Sequence, residues 1–570
     1  MADSHPHSAH HGPARSGPVL AGIGVLVAGY LLAAAWGWPQ AATQRVVEAK
    51  SHASDGQHAT KHDSHREGRP AADSDARDDG PRDAPHGDAE DQPRADRDPL
   101  TQGESAAAAE PHPTGHPPLW SVLPFLLLLG SVALMPLIPW TEEWWESNWH
   151  RFQTAVVLAL LTLLYYLVLH EASVVVHWPA HDVAHHDPAG LNFSVAWSVV
   201  ANAILSEYVP FIVLLFSLFT ISGGIRIDAD LPARPSTNLG IIGLGGLLAS
   251  FIGTTGAAML LIRPLLETNR HRRQRRHTVV FFIFVVCNCG GCLLPIGDPP
   301  LFLGYLYGVP FTWTFTLWAP WLMVNCTLLA VYYVWDRFWA YPREHRTDRA
   351  LAERTGEIRF IGLGLNAPLL LGVVLSIALL DPSKPVPGTQ WHAWMYLREM
   401  VQLSLVGLSL LLGSRLARQR NQFDYHAMIE VAALFLGIFI CMQPALQILN
   451  ARGPELGLTQ PWQYFWATGG LSSMLDNAPT YVVFFETAKA LSAEQGLVPQ
   501  VAGVHEPLLI GVSLGAVFLG AMTYIGNGPN FMAKAIAETS GVQMPSFFGY
   551  MLYSGAILLP ILIVTTVIFL

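Results

Sequence analysis

The segment Ile296-Gly297-Asp298-Pro299-Pro300-Leu301-Phe302 sets a glycine, a carboxylate and two prolines inside a long apolar run. Near the other end of the chain, Ile525-Gly526-Asn527-Gly528-Pro529-Asn530-Phe531 keeps Ile, Gly, Pro and Phe at four of the seven places. Glycine and proline in mid-run remove helical hydrogen bonds that lipid cannot replace, so such breaks persist only where they line a protein cavity or hold something. Two more echoes precede each segment in the same order. Glu207 lies nine residues before Phe216, as Glu430 lies nine before Phe439, and the tip Thr254-Thr255-Gly256-Ala257 answers Asp476-Asn477-Ala478-Pro479. The separations are 47 then 44 residues in the first set and 46 then 51 in the second. Three echoes in register read as an internal duplication.

Working outward, the rest of the chain reads as membrane spans. It has 570 residues, 51% hydrophobic and only 13% charged, about half the ~25% charge of a soluble chain. Residues 41 to 117 hold 9 basic and 16 acidic residues, leaving about 49 charged residues for 119 to 570. A bilayer core needs about 20 apolar residues per helix, and such runs recur. Two of them, Leu239 to Leu266 and Phe465 to Leu491, are interrupted by Gly253-Thr254-Thr255-Gly256 and by Leu475-Asp476-Asn477-Ala478-Pro479-Thr480, and read as re-entrant hairpins. Setting them aside leaves five crossings per set plus an N-terminal helix, about eleven in all. The expected fold is an all-α polytopic membrane protein of two inverted five-helix repeats, each with a re-entrant hairpin and a broken helix.

That reading divides the chain into an N-terminal segment 1–38, a tail 39–117, repeat 1 at 118–336, a basic linker 337–359 and repeat 2 at 360–570. The run Pro18 to Trp36 fits both a signal anchor and a signal peptide cleaved near Ala41-Ala42. The tail, rich in Asp, Ala, Pro, Arg and His, cannot bury enough apolar surface to offset its ordering entropy and reads as disordered. Basic residues cluster at Arg270 to Arg276, at Arg337 to Arg359 (Arg337, Arg343, Arg346, Arg349, Arg354, Arg359) and at Arg415 to Arg420. These loops fall on one side of the eleven-crossing arrangement, which places them in the cytoplasm and the tail outside. The expected location is the cell inner membrane, as a multi-pass protein.

Eleven of the 23 histidines lie in residues 1 to 118, and His177, His181, His185 and His186 follow in a later loop. No ligand spacing recurs among them, so a solvated spacer is preferred to a metal trap. The five cysteines, Cys287, Cys289, Cys292, Cys326 and Cys441, all sit in apolar stretches. They suggest neither a disulfide framework nor a zinc ribbon, and the run from Cys287 to Cys292 fits close packing of small residues. A net charge of −10 gives no reason to expect nucleic acid. No nucleophile elbow, phosphate loop or zinc-protease motif is present, so no enzyme, catalytic residue or bound cofactor is expected.

Two broken helices facing two hairpin tips would form one central site. Freed carbonyls there coordinate cations, and positive helix ends attract anions. Into that site the sequence places Thr254, Thr255, Asp298, Asp476, Asn477, Thr480, Asn527 and Asn530. Asp298 also fits a helix cap at its break, whereas Asp476 at a hairpin tip is costly without a cation or proton to hold. Glu207 and Glu430 fit a proton pathway, but each lies near the expected start of its span and equally fits an interfacial role. Asn288 is a pathway-lining candidate. Arg263 fits a cytoplasmic anchor better than a partner for Glu267, and Lys489 and Lys534 read as snorkelling near span ends.

The tip Ser472-Ser473-Met474-Leu475-Asp476-Asn477-Ala478-Pro479-Thr480 resembles the Asp-Asn-x-Pro signature of NhaD-like sodium:proton antiporters. The plan over roughly residues 119 to 570 is similar to the wider ion transporter superfamily, with its citrate, dicarboxylate and arsenite carriers. That resemblance implies a homodimer with a scaffold part and a transport part that moves in an elevator-like displacement. The sodium-coupled dicarboxylate members carry Ser-Asn-Thr at both tips; Gly253-Thr254-Thr255-Gly256 and Leu475-Asp476-Asn477-Ala478 depart from it, which counts against a carboxylate substrate. The expectation is Na+ or Li+ exchanged for H+, with Asp476 and Asp298 alternately holding cation or proton among oxygen ligands. The alternative is cation-coupled citrate or dicarboxylate uptake, the anion lying at hairpin helix N-termini beside Thr255 and Thr480. A third reading, a metal-binding protein acting through its His-rich tail, leaves the matched repeat without a purpose.

Overall fold

The computed structural model describes residues 16–48, 116–345 apart from 177, 180–181, 188–189 and 230, and 357–570. His177, His181, most of the His-rich tail, Arg346, Arg349 and Arg354 lie outside the described residues. The chain is an all-α polytopic membrane protein. Among the described residues six helices are long and apolar enough to cross a bilayer: Ser16–Ala35, Asn148–Val168, Phe193–Ser222, Pro235–Ile252, Trp313–Arg343 and Phe547–Phe569. Counting two bent pairs as single spans, one being His426–Cys441 with Gln443–Leu456 at 43°, raises the number to eight. The sequence count of eleven also takes in shorter apolar helices such as Arg276–Cys292, Leu363–Leu379 and Glu506–Met522.

Burial separates peripheral helices from central ones. Asn148–Val168 exposes Val157, Leu160, Leu161 and Leu164, the surface of a helix whose outer face meets lipid. Arg276–Val285 is apolar all round and is buried from His277 to Val285, as expected of a helix enclosed by others. The broken spans therefore lie inside the bundle, where a gap in helical hydrogen bonding can be filled by protein groups.

Pro235–Ile252 and Thr254–Thr268 form the first hairpin. Gly253 separates them at φ 76° and ψ 151°, a conformation open to glycine and costly for residues with a Cβ. At the other end Asn238 and Asn269 exchange side-chain amide hydrogen bonds of 2.9 and 2.8 Å. The two helices thus begin and finish at one level, although Pro235–Ile252 alone has the length of a span. Pro461–Ser472 and Asn477–Glu494 form the second hairpin, with the helix interrupted over residues 473–476.

Two sequence boundaries shift. Residues 39–48, assigned from sequence to the head of the disordered tail, are helical. Ala42 and Thr43 are buried there, and Thr43 Oγ1 donates to Ala393 O and accepts from Met395 N at 2.8 Å. This docking supplies the apolar and polar contacts that composition alone did not promise. The basic linker is also structured at both ends. Asp336–Ala340 and Tyr341–Arg343 prolong the preceding helix, and Ile358–Ile361 pairs antiparallel with Arg226–Ala229, joining the two halves.

Candidate functional site

Asp298 opens the helix Pro299–Leu306 from extended backbone, φ −143° and ψ 143°. An aspartate in that place commonly caps its own helix, yet its side chain makes no capping bond. It lies 1% exposed where the hairpins and broken spans meet. Its Oδ1 accepts from Thr254 Oγ1 at 2.9 Å and from Asn527 Nδ2 at 3.0 Å, and its Oδ2 accepts from Asn477 Nδ2 at 2.7 Å. Thr254 comes from the first hairpin tip, Asn477 from the second, and Asn527 from the second broken span. All three donors are neutral, so the carboxylate is solvated by dipoles and not neutralised by them.

The network continues through the other asparagines. Asn527 Nδ2 is also within reach of Cys287 O at 3.0 Å and Asn288 Oδ1 at 3.3 Å. Asn288 donates to Asn530 Oδ1 at 2.7 Å, and Asn530 donates to the carbonyls of Gly520 and Thr523. The carbonyls involved are ones that broken helices leave free. One atom stands out: Asn477 Oδ1 is buried with no hydrogen-bond partner, beside the carboxylate that its own Nδ2 serves. A buried acceptor without a donor is costly, and it is also a ready oxygen ligand.

Matched features hold the two broken spans. Asn527 opens Gly528–Thr539 from φ −155° and ψ 136°, nearly the conformation of Asp298. A Cβ on Gly297 would lie 2.2 Å from Gly291 O, and one on Gly526 would lie 2.6 Å from Gly520 O. Each glycine thus lets the chain double back on itself six residues away. Ser250, one turn before the first hairpin break, bonds Gly290 O at 2.6 Å and Leu293 N at 3.0 Å, while Ser472, at the second break, bonds Ala516 O at 2.8 Å. These serines clamp hairpin to broken span, and sequence reasoning passed over both. Their signal was a hydroxyl in an apolar helix beside each break.

Other expected site residues make other bonds, although Asp476 stays within electrostatic reach of Asp298. Asp476, read as the costlier carboxylate, is the helix cap: its Oδ1 accepts from Ala478 N at 3.1 Å, and its carbonyl accepts from Thr480 Oγ1 at 2.9 Å. Asp298, read as cap-compatible, is the central carboxylate. Thr255 is half-buried beside Thr254 and adds no bond to Asp298. Glu207 is buried at 8% exposure inside the π-helical turns Ala201–Tyr208, midway along the long span Phe193–Ser222. Glu430 instead forms an ion pair with Arg151 at 2.6 Å and keeps a partly exposed side chain. The two glutamates therefore do not share a role. Glu267 pairs with Arg226 and also lies within electrostatic reach of Arg263, and Lys489 and Lys534 reach Glu486 and Glu538 at 3.6 and 3.7 Å. The run Cys287 to Cys292 is a packing device, since a Cβ on Gly290 would meet Gly246 O at 2.4 Å.

Broken helices that converge on a buried carboxylate within a polytopic helical protein define a membrane transporter. Residues 114–570 match the family CitMHS_2, described as "Putative citrate transport", and the chain belongs to that citrate-transporter-like family. No curated protein matches the chain.

Proposed function

We propose that this secondary transporter exchanges Na+ or Li+ for protons at a site centred on Asp298, with Thr254, Asn477, Asn527 and freed carbonyls as the oxygen shell. The observation that carries the reading is the buried Asp298 carboxylate beside the unpartnered Asn477 Oδ1. A single buried carboxylate favours either a proton or a cation, and the two compete for the same oxygens. Competition at a site that faces the two sides in turn is exchange. Oxygen donors suit a hard cation, and rotation of the Asn477 and Asn527 amides would turn oxygens toward it.

The matched Gly291/Gly297 and Gly520/Gly526 approaches, with Ser250 and Ser472, support an internal duplication, which we read as two inverted five-helix repeats with re-entrant hairpins and eleven crossings. In this arrangement the basic loops are cytoplasmic and the His-rich tail is outside an inner membrane. The superfamily likeness adds a homodimer with elevator movement.

A second reading is cation-coupled uptake of citrate, favoured by the description of the family. In it Asp298 holds the coupling cation, and the anion lies at the hairpin helix N-termini beside Thr255 and Thr480. Proteoliposomes with a trapped pH dye, given Na+, Li+, K+ or citrate in turn, separate the two. Proton movement driven by Na+ or Li+ alone and lost in Asp298→Asn supports antiport; saturable uptake of labelled citrate with silence to cations alone supports the second reading. Cation exchange retained in Asp298→Asn removes this site from either mechanism.

A further inference from the structure

A second polar cluster lies apart from Asp298, where four elements converge: the π-helical turns Ala201–Tyr208, the end of Pro299–Leu306, the helix Gln443–Arg452 and the second arm of the second hairpin, Asn477–Glu494. Glu207 and Glu486 are 8% and 4% exposed, and each keeps one carboxyl oxygen, Oε2, buried with no hydrogen-bond partner. Tyr307 Oη donates to Glu207 Oε1 at 2.9 Å, and Lys489 Nζ stands 3.6 Å from Glu486 Oε1. Tyr307 lies within electrostatic reach of both carboxyl groups, and its ring sits 5.6 Å from that of Phe485 on the hairpin arm. The groups facing Glu207 are thus Tyr307, Glu486 with Lys489, and Gln443. Of the other charged or phenolic groups on these elements, Tyr208 bonds Ala432 O, Tyr305 bonds Ile377 O and Arg452 pairs with Glu455.

We infer that Glu207, Glu486 and Tyr307 form a second site, specific for one proton, that links the second hairpin to the long span Phe193–Ser222. The charge count carries it. Two carboxylates and one ammonium sum to −1, so the cluster becomes neutral on taking one proton and charged on losing it, and an apolar setting strongly favours the neutral count. The proton comes from and returns to water; Glu207 is its holder, because Glu486 has Lys489. A π-helical distortion inside a span is costly and commonly marks function. Because one carboxylate sits on the hairpin and the other on a different element, moving the hairpin changes the pairing, and proton occupancy changes how freely the hairpin moves. The inference rests on the transport reading for its purpose, but the proton site stands or falls separately.

The test uses full-length protein in proteoliposomes, with Glu207→Gln as the main variant and Tyr307→Phe as a milder second one, both checked for a monodisperse, wild-type-like elution. The probes are 22Na+ and labelled citrate, with pyranine inside. In wild type the apparent affinity for the transported probe shifts by on the order of tenfold between acid and alkaline pH. In Glu207→Gln that shift narrows to the part that proton competition at Asp298 leaves, while probe-for-probe self-exchange continues, and Tyr307→Phe moves the pH profile by a smaller amount. An unchanged pH profile in Glu207→Gln overturns the inference, as does loss of self-exchange in a folded variant. Should neither probe move in wild type, the transport reading fails, and infrared spectroscopy decides the proton site alone. A protonated-carboxyl band that titrates with pH and is missing in Glu207→Gln upholds it; a band unchanged in that variant overturns it.

Discussion

Replacing Asp298 by asparagine removes one charge while leaving the hydrogen-bond frame repairable. In the wild type Oδ1 takes the bonds from Thr254 and Asn527, and Oδ2 takes the bond from Asn477. In Asp298→Asn the remaining oxygen keeps the first two, and the new Nδ2 faces Asn477 Nδ2, a donor against a donor. A half-turn of the Asn477 amide resolves it by presenting Oδ1, which is unpartnered in the wild type. The bond between the two side chains is then kept with its direction reversed, and the buried orphan passes from Asn477 Oδ1 to its Nδ2, so stability should change by no more than about 1 kcal/mol. Cation binding fares differently. A unit charge about 3.5 Å from a monovalent cation at an effective dielectric of about 20 contributes roughly 5 kcal/mol, or several thousandfold in affinity. The assay is thermal unfolding in detergent across a NaCl or LiCl series, paired with 22Na+ uptake. Wild type should gain stability with ligand concentration by mass action, and the variant should keep the wild-type baseline and lose the increment. A variant that retains the ligand-dependent increment refutes the placement of the cation; one that unfolds several kcal/mol earlier refutes the amide-flip argument.

Asp476→Asn should behave in the opposite manner, since asparagine caps a helix as well as aspartate does: exchange continues, whereas Asp476→Ala lowers stability by about 1 kcal/mol, both read by 22Na+ uptake and thermal unfolding. Gly297→Ala drives a Cβ to 2.2 Å from Gly291 O and should cost about 3 kcal/mol or more or prevent folding, while Gly240→Ala, with open space around it, should leave the elution profile and unfolding temperature unchanged. Outside the spans, the hydrogen bond from Arg226 holds Asp228 below the usual aspartate range, with Arg420 adding its charge against the opposing effect of burial. A depressed folded-state value gives stability that is present above the unfolded value, near 3.9, and fades as pH falls through the folded one. Asp228→Asn should therefore flatten the acid limb of an unfolding-versus-pH curve, and an unaltered limb would show that the pair does not contribute.

The breaks at Gly297-Asp298-Pro299 and Gly526-Asn527-Gly528 were legible because glycine, proline and a carboxylate are physically out of place in an apolar run. For the same reason Thr254, Asn477, Asn527 and Asn530 could be assigned to one site before any coordinates. Which aspartate sits at the centre of the hydrogen-bond network and which caps was not legible. Asp298 and Asp476 both stand immediately before a helix, and a local pattern cannot say whether a side chain turns back to its own amides or across to another element. Glu207 and Glu430 looked equivalent by spacing until Arg151, nearly 280 residues before Glu430, was found to pair with one of them. Glu486 escaped notice because Lys489 one turn later reads as an ordinary exposed helical pair, and only packing shows the carboxylate to be buried. Thr43 likewise fixes residues 38–48 through a contact some 350 residues away.

The asymmetry within the proposed repeat accounts for the chemistry of the site. Asp298 and Asn527 occupy matching places, share nearly the same backbone conformation and bond each other at 3.0 Å. Two aspartates there would face like charge at contact distance, and one would have to be protonated. Two asparagines would leave nothing to distinguish a cation from water. One of each gives a single carboxylate, oriented by an amide that can donate to it when it is empty and turn its oxygen inward when a cation arrives. The same amide swing is open to Asn477 but closed to Thr254, whose hydroxyl both donates and accepts from one atom. Under the proposed exchange, the two asparagines are therefore the groups whose geometry would differ between proton-loaded and cation-loaded states. Asn477→Asp should consequently raise proton competition at the site and weaken Na+ exchange at acid pH more than at alkaline pH, and a pH profile of 22Na+ uptake matching wild type would refute that division of labour.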